Sequence, residues 1–427
     1  MCVNTEKLSI FIDKDLWEKN IAHQQSKGMK RNILGLLCDP EFKINLVDMI
    51  LEGEYKIAPP YVAEIPKDNG KIRKVYVNQP LDRFVLTQLN YVYMTIYKDW
   101  IHPNCVSYQK GIGVKDIIPK ICNELTKQKD VSGYKVDISK YFDSVSKQVL
   151  GEMLDKIDTG SPFDKLIKDY YFDDTLIDEN GNVVKKYKSM TQGCAISTFL
   201  ANFILRDVDE VLSNLDIIYY RYSDDIMMIG PDAEKGMEIL KRMLSEKGLV
   251  LNPKKIEPIY PNQWFTFLGI RINGNKKSIS EKSLKEFMKH IKEYTSGEPQ
   301  SEKSLRQAIK KINGYLYMDY LNNPNAFGWA EYFFSIMNIE KDIIQIDQYI
   351  KDSLRAMYTG RKNIGGLGVN KVTNQIGVLR GKGKNVKANL QKVDQEMLKK
   401  CGYMSMNMLY KHFHMSKNLY KATLTMS

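Results

Sequence analysis

Two adjacent aspartates set between two apolar runs constrain this chain more than any other feature. Ile217 to Tyr222 and Ile226 to Ile229 are largely apolar or aromatic, and Ser223-Asp224-Asp225 separates them. Runs of that kind predict two strands joined by a tight turn. The carboxylates then stand at the tip of a hairpin carried by a rigid sheet. Neighbouring acids in such a place repel each other unless a cation neutralises them. Asp also suits turns for purely conformational reasons. The pair alone therefore supports a metal site and an ordinary turn about equally.

A second acid decides between them. In Val136-Asp137-Ile138-Ser139-Lys140-Tyr141-Phe142-Asp143-Ser144-Val145, Asp137 directly follows a short strand-like run, Tyr134 to Val136. An acid at the end of a core strand needs a partner or a metal. Nucleotidyl transfer uses two Mg²⁺ ions about 3.5–4 Å apart, which bridge the attacking and leaving oxygens. Mg²⁺ is typically held by a few carboxylates together with substrate phosphates. Asp137 from one strand and Asp224-Asp225 from a neighbouring hairpin supply such a set. The charge balance agrees: a net +12 over 427 residues favours a polyanionic partner, although a basic protein without one has the same balance. Ser353 to Val393 concentrates that charge, with nine Lys and Arg, seven Gly and no acid. Such a stretch reads as a flexible segment tracking phosphates, with a solvated linker as the plainer alternative.

With 43% hydrophobic residues the chain can bury a sizeable core, and its length predicts more than one subdomain. Met1 to about Pro60 has helical spacing. Tyr61 to Pro66 and Lys71 to Val77, joined through Asn69-Gly70, predict a β-hairpin. Leu81 to Trp100 predicts a helix with more than one apolar face. Thr175 to Tyr187 predicts a second hairpin, and Ser197 to Leu215 a buried helix. Ala233 to Gly248 predicts an amphipathic helix. Phe265 to Ile272 and Ser278-Ile279 predict strands around Asn273-Gly274, followed by helices from Glu281 to about Leu354. That order suggests an α+β layer rather than a doubly wound sheet. None of the six cysteines forms a CxxC pair, so reduced thiols in a cytoplasmic protein are expected. His412 and His414 flank Phe413 without further ligands nearby, which favours packing over metal binding. No secretory signal and no membrane-spanning run is visible.

Five segments together carry a family resemblance. Asp137 to Val145 resembles the first catalytic motif of the reverse transcriptases, and Thr191-Gln192-Gly193-Cys194-Ala195-Ile196-Ser197 their glutamine-glycine motif. Tyr222 to Asp225 resembles the Tyr-x-Asp-Asp box, Asn252-Pro253-Lys254-Lys255 the lysine motif, and Phe267-Leu268-Gly269-Ile270 the primer grip. The match runs from about Ile65 to Ile270 and is strongest to bacterial enzymes related to retrons, group II introns and phage defence. It implies a right-hand polymerase fold with fingers, an antiparallel palm sheet and a helical thumb. N-terminal helices would cover 1–60, fingers 61–133, palm 134–280 with a fingers insertion at about 150–190, thumb 281–355 and a basic C-terminal extension 356–427. Asp137, the Ile138 carbonyl, Asp224 and Asp225 would hold two Mg²⁺, with Mn²⁺ as a substitute. Lys71, Arg73, Phe142, Gln192, Gly193 and Lys254 would bind the dNTP, with Phe142 as the gate against a ribose 2′-OH. Lys254 or Lys255 would give a proton to the leaving pyrophosphate. Phe267, Leu268 and Gly269 would hold the primer. The basic residues Arg361, Lys362, Arg380, Lys382 and Lys384 would contact nucleic acid. Ser107-Tyr108-Gln109-Lys110-Gly111 resembles the template-contacting turn only loosely.

Departures narrow the group. No Val-Thr-Gly follows the primer grip, where retron enzymes usually carry one; Asn273-Gly274-Asn275-Lys276-Lys277 stands there instead. The region after Leu354 has no Cys- and His-rich cluster of the endonuclease type. The expectation is a compact defence-associated enzyme that makes cDNA on a noncoding RNA template, with no membrane partner. Two other readings stay open: a protein-primed or template-independent DNA polymerase of abortive-infection type, and an RNA-binding splicing or scaffold protein.

Overall fold

A run such as Ile226-Met227-Met228-Ile229 has no polar face, so it must be buried on both sides. The structure, a computed structural model, describes residues 3–66, 72–128, 130–296, 301–317, 328–378 and 385–425. All four residues of that run are 0% exposed in it. The chain divides into two compact units, Met1–Gly113 with Val131–Ile259, and Val114–Asp130 with Tyr260–Ser427.

The strands of the first unit are, in chain order, β1 (Tyr61–Pro66), β2 (Ile72–Val77), β3 (Gly133–Asp137), β4 (Thr175–Ile177), β5 (Val183–Lys185), β6 (Ile218–Tyr222), β7 (Asp225–Ile229) and β8 (Glu257–Ile259). One antiparallel sheet has the order β6-β7-β3-β8. Its register places Gly133 opposite Ile229 and Asp137 opposite Asp225. A side chain at Gly133 would put its Cβ 2.1 Å from the Met228 carbonyl oxygen, so only glycine lets β3 enter this pairing. The helix Ala233–Glu246 packs on β3 and β7 through Ala233, Met237, Leu240 and Leu244, an apolar stripe at helical spacing.

The two predicted hairpins, β1–β2 and β4–β5, join into one sheet, β2-β1-β4-β5. The predicted Asn69-Gly70 turn lies outside the described residues. The helix Pro80–Ile96 is apolar on more than one face because it runs through the core, with Phe84, Val85, Leu89, Val92 and Tyr93 each 0% exposed.

The predicted single helix from Ser197 to Leu215 is two, Ile196–Phe203 and Arg206–Ser213. The break has a chemical cause. The carbonyls of Ala201 and Asn202 accept from the buried Arg221 guanidinium instead of from the next helical turn.

In the second unit, β9 (Phe265–Phe267), β10 (Ile270–Asn273) and β11 (Lys276–Ile279) form an antiparallel sheet. Leu268 and Gly269, at φ 49° and 78°, break the predicted Phe265–Ile272 run into a hairpin. The basic stretch from Ser353 is more ordered than its composition predicts. It contains the hairpin β12 (Leu367–Val369) and β13 (Ile376–Val378) and the helix Val386–Lys392. Buried carboxylates on the helix Glu340–Thr359 tie this region down. Asp342 accepts from the Ile376 amide at 2.9 Å and the Ser278 hydroxyl at 2.6 Å. Beyond that stretch, Asp347 likewise anchors the C-terminal residues, accepting from the Tyr403 hydroxyl at 2.7 Å and the Met406 amide at 2.8 Å. Arg355 is buried, paired with Asp352, and donates to the Val393 carbonyl, so it is a packing residue rather than a phosphate contact.

Elsewhere in the first unit, Lys7 and Asp164 form a buried ion pair at 2.5 Å, with side chains 0% and 2% exposed. The carboxylate also accepts from the Tyr93 hydroxyl and the Thr159 amide. Removing one member leaves the other charge buried and unpaired. Lys7→Met is expected to lower stability by about 3–5 kcal/mol, read as a fall in the urea midpoint. An unchanged midpoint would refute this account.

Candidate active site

The register of β3 and β7 brings the acids together. Asp137 ends β3, 4% exposed, directly across from Asp225, which opens β7. Asp224 lies in the two-residue turn closed by the Tyr222–Asp225 pair. Ser223, its first residue, has φ 59°, a left-handed conformation that ordinarily costs a non-glycine residue about 1–3 kcal/mol. Three contacts hold the turn against that cost. The Ile138 amide donates to the Asp224 carbonyl at 3.0 Å. The Arg221 guanidinium donates to the Ser223 carbonyl at 3.2 Å, and the Tyr108 hydroxyl to the Ser223 hydroxyl at 3.3 Å.

The electrostatics are those of a site short of positive charge. Burial, reinforced by Asp137, pushes the Asp224 carboxyl up to about 6. Burial also raises Asp225, with Asp137 and Glu257 adding to the shift and Lys135 and Lys255 opposing it. The Lys255 ammonium bonds to the Asp137 carboxylate. Burial works against its charge, but that bond and the field of the three aspartates outweigh it and hold its pKa above the usual lysine range. Lys255 reaches Asp137 because residues 250–252 run beside β3. The Ser139 amide donates to the Val250 carbonyl, and the Asn252 amide to the Asp137 carbonyl, both at 2.8 Å. Lys254, the neighbouring candidate, is exposed.

Among the described residues no three His, Cys, Asp or Glu side chains converge as a ready-made metal cage. The arrangement still fits the way Mg²⁺ is commonly held, by one or two carboxylates completed by substrate phosphates. The cation that Asp137 holds here is the Lys255 ammonium. The Ile138 side chain is buried and its amide is taken by Asp224.

The predicted nucleotide-pocket residues lie on elements that touch. Phe142, on the short helix Tyr141–Ser144, accepts at its carbonyl from the Met190 amide at 3.1 Å. Two residues on, the Gln192 carbonyl accepts from the Tyr76 amide of β2 at 2.7 Å. Gly193 has φ +107°, and a Cβ there would lie 2.8 Å from the Tyr76 carbonyl oxygen. Arg73 is exposed on β2 opposite Ile65. Lys71, Arg380, Lys382 and Lys384 lie outside the described residues. Phe267 ends β9 and Leu268 and Gly269 form the β9–β10 turn; Arg361 and Lys362, also in the second unit, are exposed.

Arg221 and Asp209 were not foreseen from the sequence, and Tyr108, foreseen only as part of a turn loosely resembling the template contact, bonds to Ser223 instead. A signal for the first was present: an Arg inside the strand-like run Ile217 to Tyr222 demands a buried counter-ion.

Comparison with known proteins bears on this geometry. Residues 65–272 match the family described as reverse transcriptase (RNA-dependent DNA polymerase). Protein YkfC of Escherichia coli is 23% identical over 299 residues, covering 60% of this chain and 77% of that protein. The putative COX1/OXI3 intron 1 protein of Saccharomyces cerevisiae is 25% identical over 171 residues, 39% of this chain but only 20% of that protein. Among solved structures, apo telomerase from Candida tropicalis aligns at TM-score 0.45 and 13% identity, over 71% of this chain and 58% of that one. A form of it truncated from the C-terminal domain aligns at 0.42 and 16%, over 52% and 56%.

Gly193→Ala tests the Gln192–Tyr76 junction. The strained φ and the close carbonyl predict a loss of about 1–3 kcal/mol in urea unfolding. A variant as stable as the parent would show that the loop needs no glycine there.

Proposed function

The chain carries a domain of the reverse transcriptase family over residues 65–272, and from that premise we propose that it is an RNA-directed DNA polymerase acting on dNTPs. The observation that carries this reading is the pairing of Asp137 with Asp225 beside the Asp224 turn. Asp137, Asp224 and Asp225 would hold Mg²⁺, or Mn²⁺, with the Ile138 carbonyl as a further ligand. Two bound ions would activate the primer hydroxyl and stabilise the leaving pyrophosphate. Lys255 would give a proton to the leaving group, a role that its position on Asp137, beside the carboxylates that would hold the metal, supports. Lys255 is preferred over Lys254 because its ammonium, although both lysines are exposed, bonds to Asp137.

In the same reading Lys71 and Arg73 neutralise the triphosphate. Gln192 and Gly193 border the base and sugar, and Phe142 excludes the 2′-OH. Phe267 to Gly269 contact the primer. Arg361, Lys362, Arg380, Lys382 and Lys384 follow the phosphates of template or product. The fingers would span 61–133 and 150–190, the palm 134–280 and the thumb 281–355, after N-terminal helices and before a basic extension. The template would be a noncoding RNA, its cDNA serving antiphage defence in the bacterial cytoplasm. The support for that finer placement is the pattern of motifs from Ile65 to Ile270, with Asn273-Gly274-Asn275-Lys276-Lys277 where retron enzymes carry Val-Thr-Gly.

The test is a labelling assay on protein purified with its bound RNA, supplied with Mg²⁺ and either dNTPs or NTPs. The expected result is DNA complementary to that RNA, absent with Asp224→Ala/Asp225→Ala. Synthesis that survives the double substitution would overturn the assignment. Product that stays attached to protein would establish protein priming instead. Phe142→Val is expected to lower the preference for dNTPs over NTPs at least about tenfold. Unaltered selectivity would remove Phe142 as the gate.

A further inference from the structure

Arg221 is the largest fully buried side chain of the molecule's described residues, at 0% exposure. Its guanidinium has five N–H donors, and all five are placed. Nε donates to Asp209 Oδ1 at 2.6 Å and Nη2 to Asp209 Oδ2 at 2.5 Å, a bidentate ion pair with both side chains 0% exposed. Nη2 also donates to the Asn202 carbonyl at 3.0 Å, and Nη1 to the carbonyls of Ala201 at 3.3 Å and Ser223 at 3.2 Å. Asp209 additionally accepts from the Tyr219 hydroxyl at 2.7 Å. Four separate pieces of chain thus meet on one group: the end of the helix Ile196–Phe203, the helix Arg206–Ser213, β6, and the turn that presents Asp224.

The plain reading of a buried ion pair is structural, and Lys7–Asp164 is one of that kind: its bonds end on Ile157, Thr159 and Tyr93, none of them in the turn. Arg221 differs because one donor ends on the carbonyl between left-handed Ser223 and Asp224. We infer that the Arg221–Asp209 pair is a positioning device for the carboxylate turn, fixing the direction in which Asp224 is offered to a metal. A lysine cannot replace it. Its ammonium has three donors on a flexible stem and cannot hold Asp209 in bidentate fashion while reaching three carbonyls.

This inference rests on the polymerase reading for its meaning, so the experiment separates the two. Mn²⁺ affinity of the full chain is measured from the paramagnetic resonance of free Mn²⁺. Amide hydrogen exchange is followed in peptides containing Ile138, whose N–H closes on Asp224. Arg221→Lys is expected to weaken Mn²⁺ binding about 10–100-fold, as loss of a group orienting a metal ligand does, and to speed exchange at Ile138. Lys7→Met is expected to lower the urea midpoint while leaving both readouts as in the parent. Asp209→Asn, which keeps the shape and removes the anchoring charge, is expected to move both readouts in the same direction as Arg221→Lys and decides the matter if Arg221→Lys does not fold. Unchanged Mn²⁺ affinity in the folded Arg221 or Asp209 variant, or an equal loss in Lys7→Met, would overturn the inference. Parent protein binding Mn²⁺ no better than Asp224→Ala/Asp225→Ala would remove the polymerase reading and this inference with it.

Discussion

The antiparallel register of β3 against β7 is the constraint on which the site depends. Because side chains alternate along a strand, a slip of one residue would turn every inward group outward. Here slippage is opposed at both ends. Gly133 fits against Met228 only because it lacks a Cβ. Asp137 pairs with Asp225 while the next amide, Ile138, is already committed to Asp224. Between these ends lie Ile226 to Ile229, buried on both faces, whose apolar area resists any rearrangement that would expose it. The acids inherit their precision from a core that does no chemistry.

That precision has an electrostatic consequence. Three carboxylates at the edge of a buried sheet are costly, and the protein meets the cost with groups of two kinds. Arg221 is sealed, bidentate and fully committed, and it neutralises Asp209 rather than the site. Lys255 is half-exposed, bonds to Asp137 alone, and sits on a short turn beside β3. A half-exposed ammonium is easily exchanged for a metal ion, whereas a sealed guanidinium is not. The fold therefore keeps one sealed cation beside the Asp224 turn and one accessible cation on Asp137, and in the proposed reading it is the second that would give way to a metal.

Much of this was legible in the sequence, for physical reasons that differ by feature. The hairpin β6–β7, the strand before Asp137 and the helix Ala233–Glu246 follow from local periodicity, and the structure has them where periodicity puts them. The carboxylate triad was legible because polar groups at the ends of apolar strands need an explanation. What escaped was non-local. Breaking Ser197–Leu215 into two helices requires Arg221 to take two carbonyls from a distant strand, and no windowed pattern contains that bond. Lys254 and Lys255 are indistinguishable in sequence; only the path of residues 250–252 beside β3 selects the second. The basic stretch from Ser353 looked like a flexible polyelectrolyte because its composition is acid-free. Its order comes from carboxylates outside it, Asp342 and Asp352 on the preceding helix turns.

The same logic explains why so much polar chemistry is buried in this chain. Asp209, Asp342 and Asp347 are each nearly inaccessible; Asp342 and Asp347 gather donors from segments 34 to 64 residues away in sequence, and Asp209 gathers its donors from Tyr219 and Arg221 of β6. An apolar contact tolerates small displacements, but a buried carboxylate with three or four placed donors does not, since each misaligned bond leaves a desolvated group unmatched. Buried acids therefore act here as junctions that define where loops and helix ends stop. At two of these junctions the result is packing alone, in the second unit. At the third the junction includes the carbonyl next to Asp224, so the accuracy of a structural motif is passed directly to the group that would meet a metal.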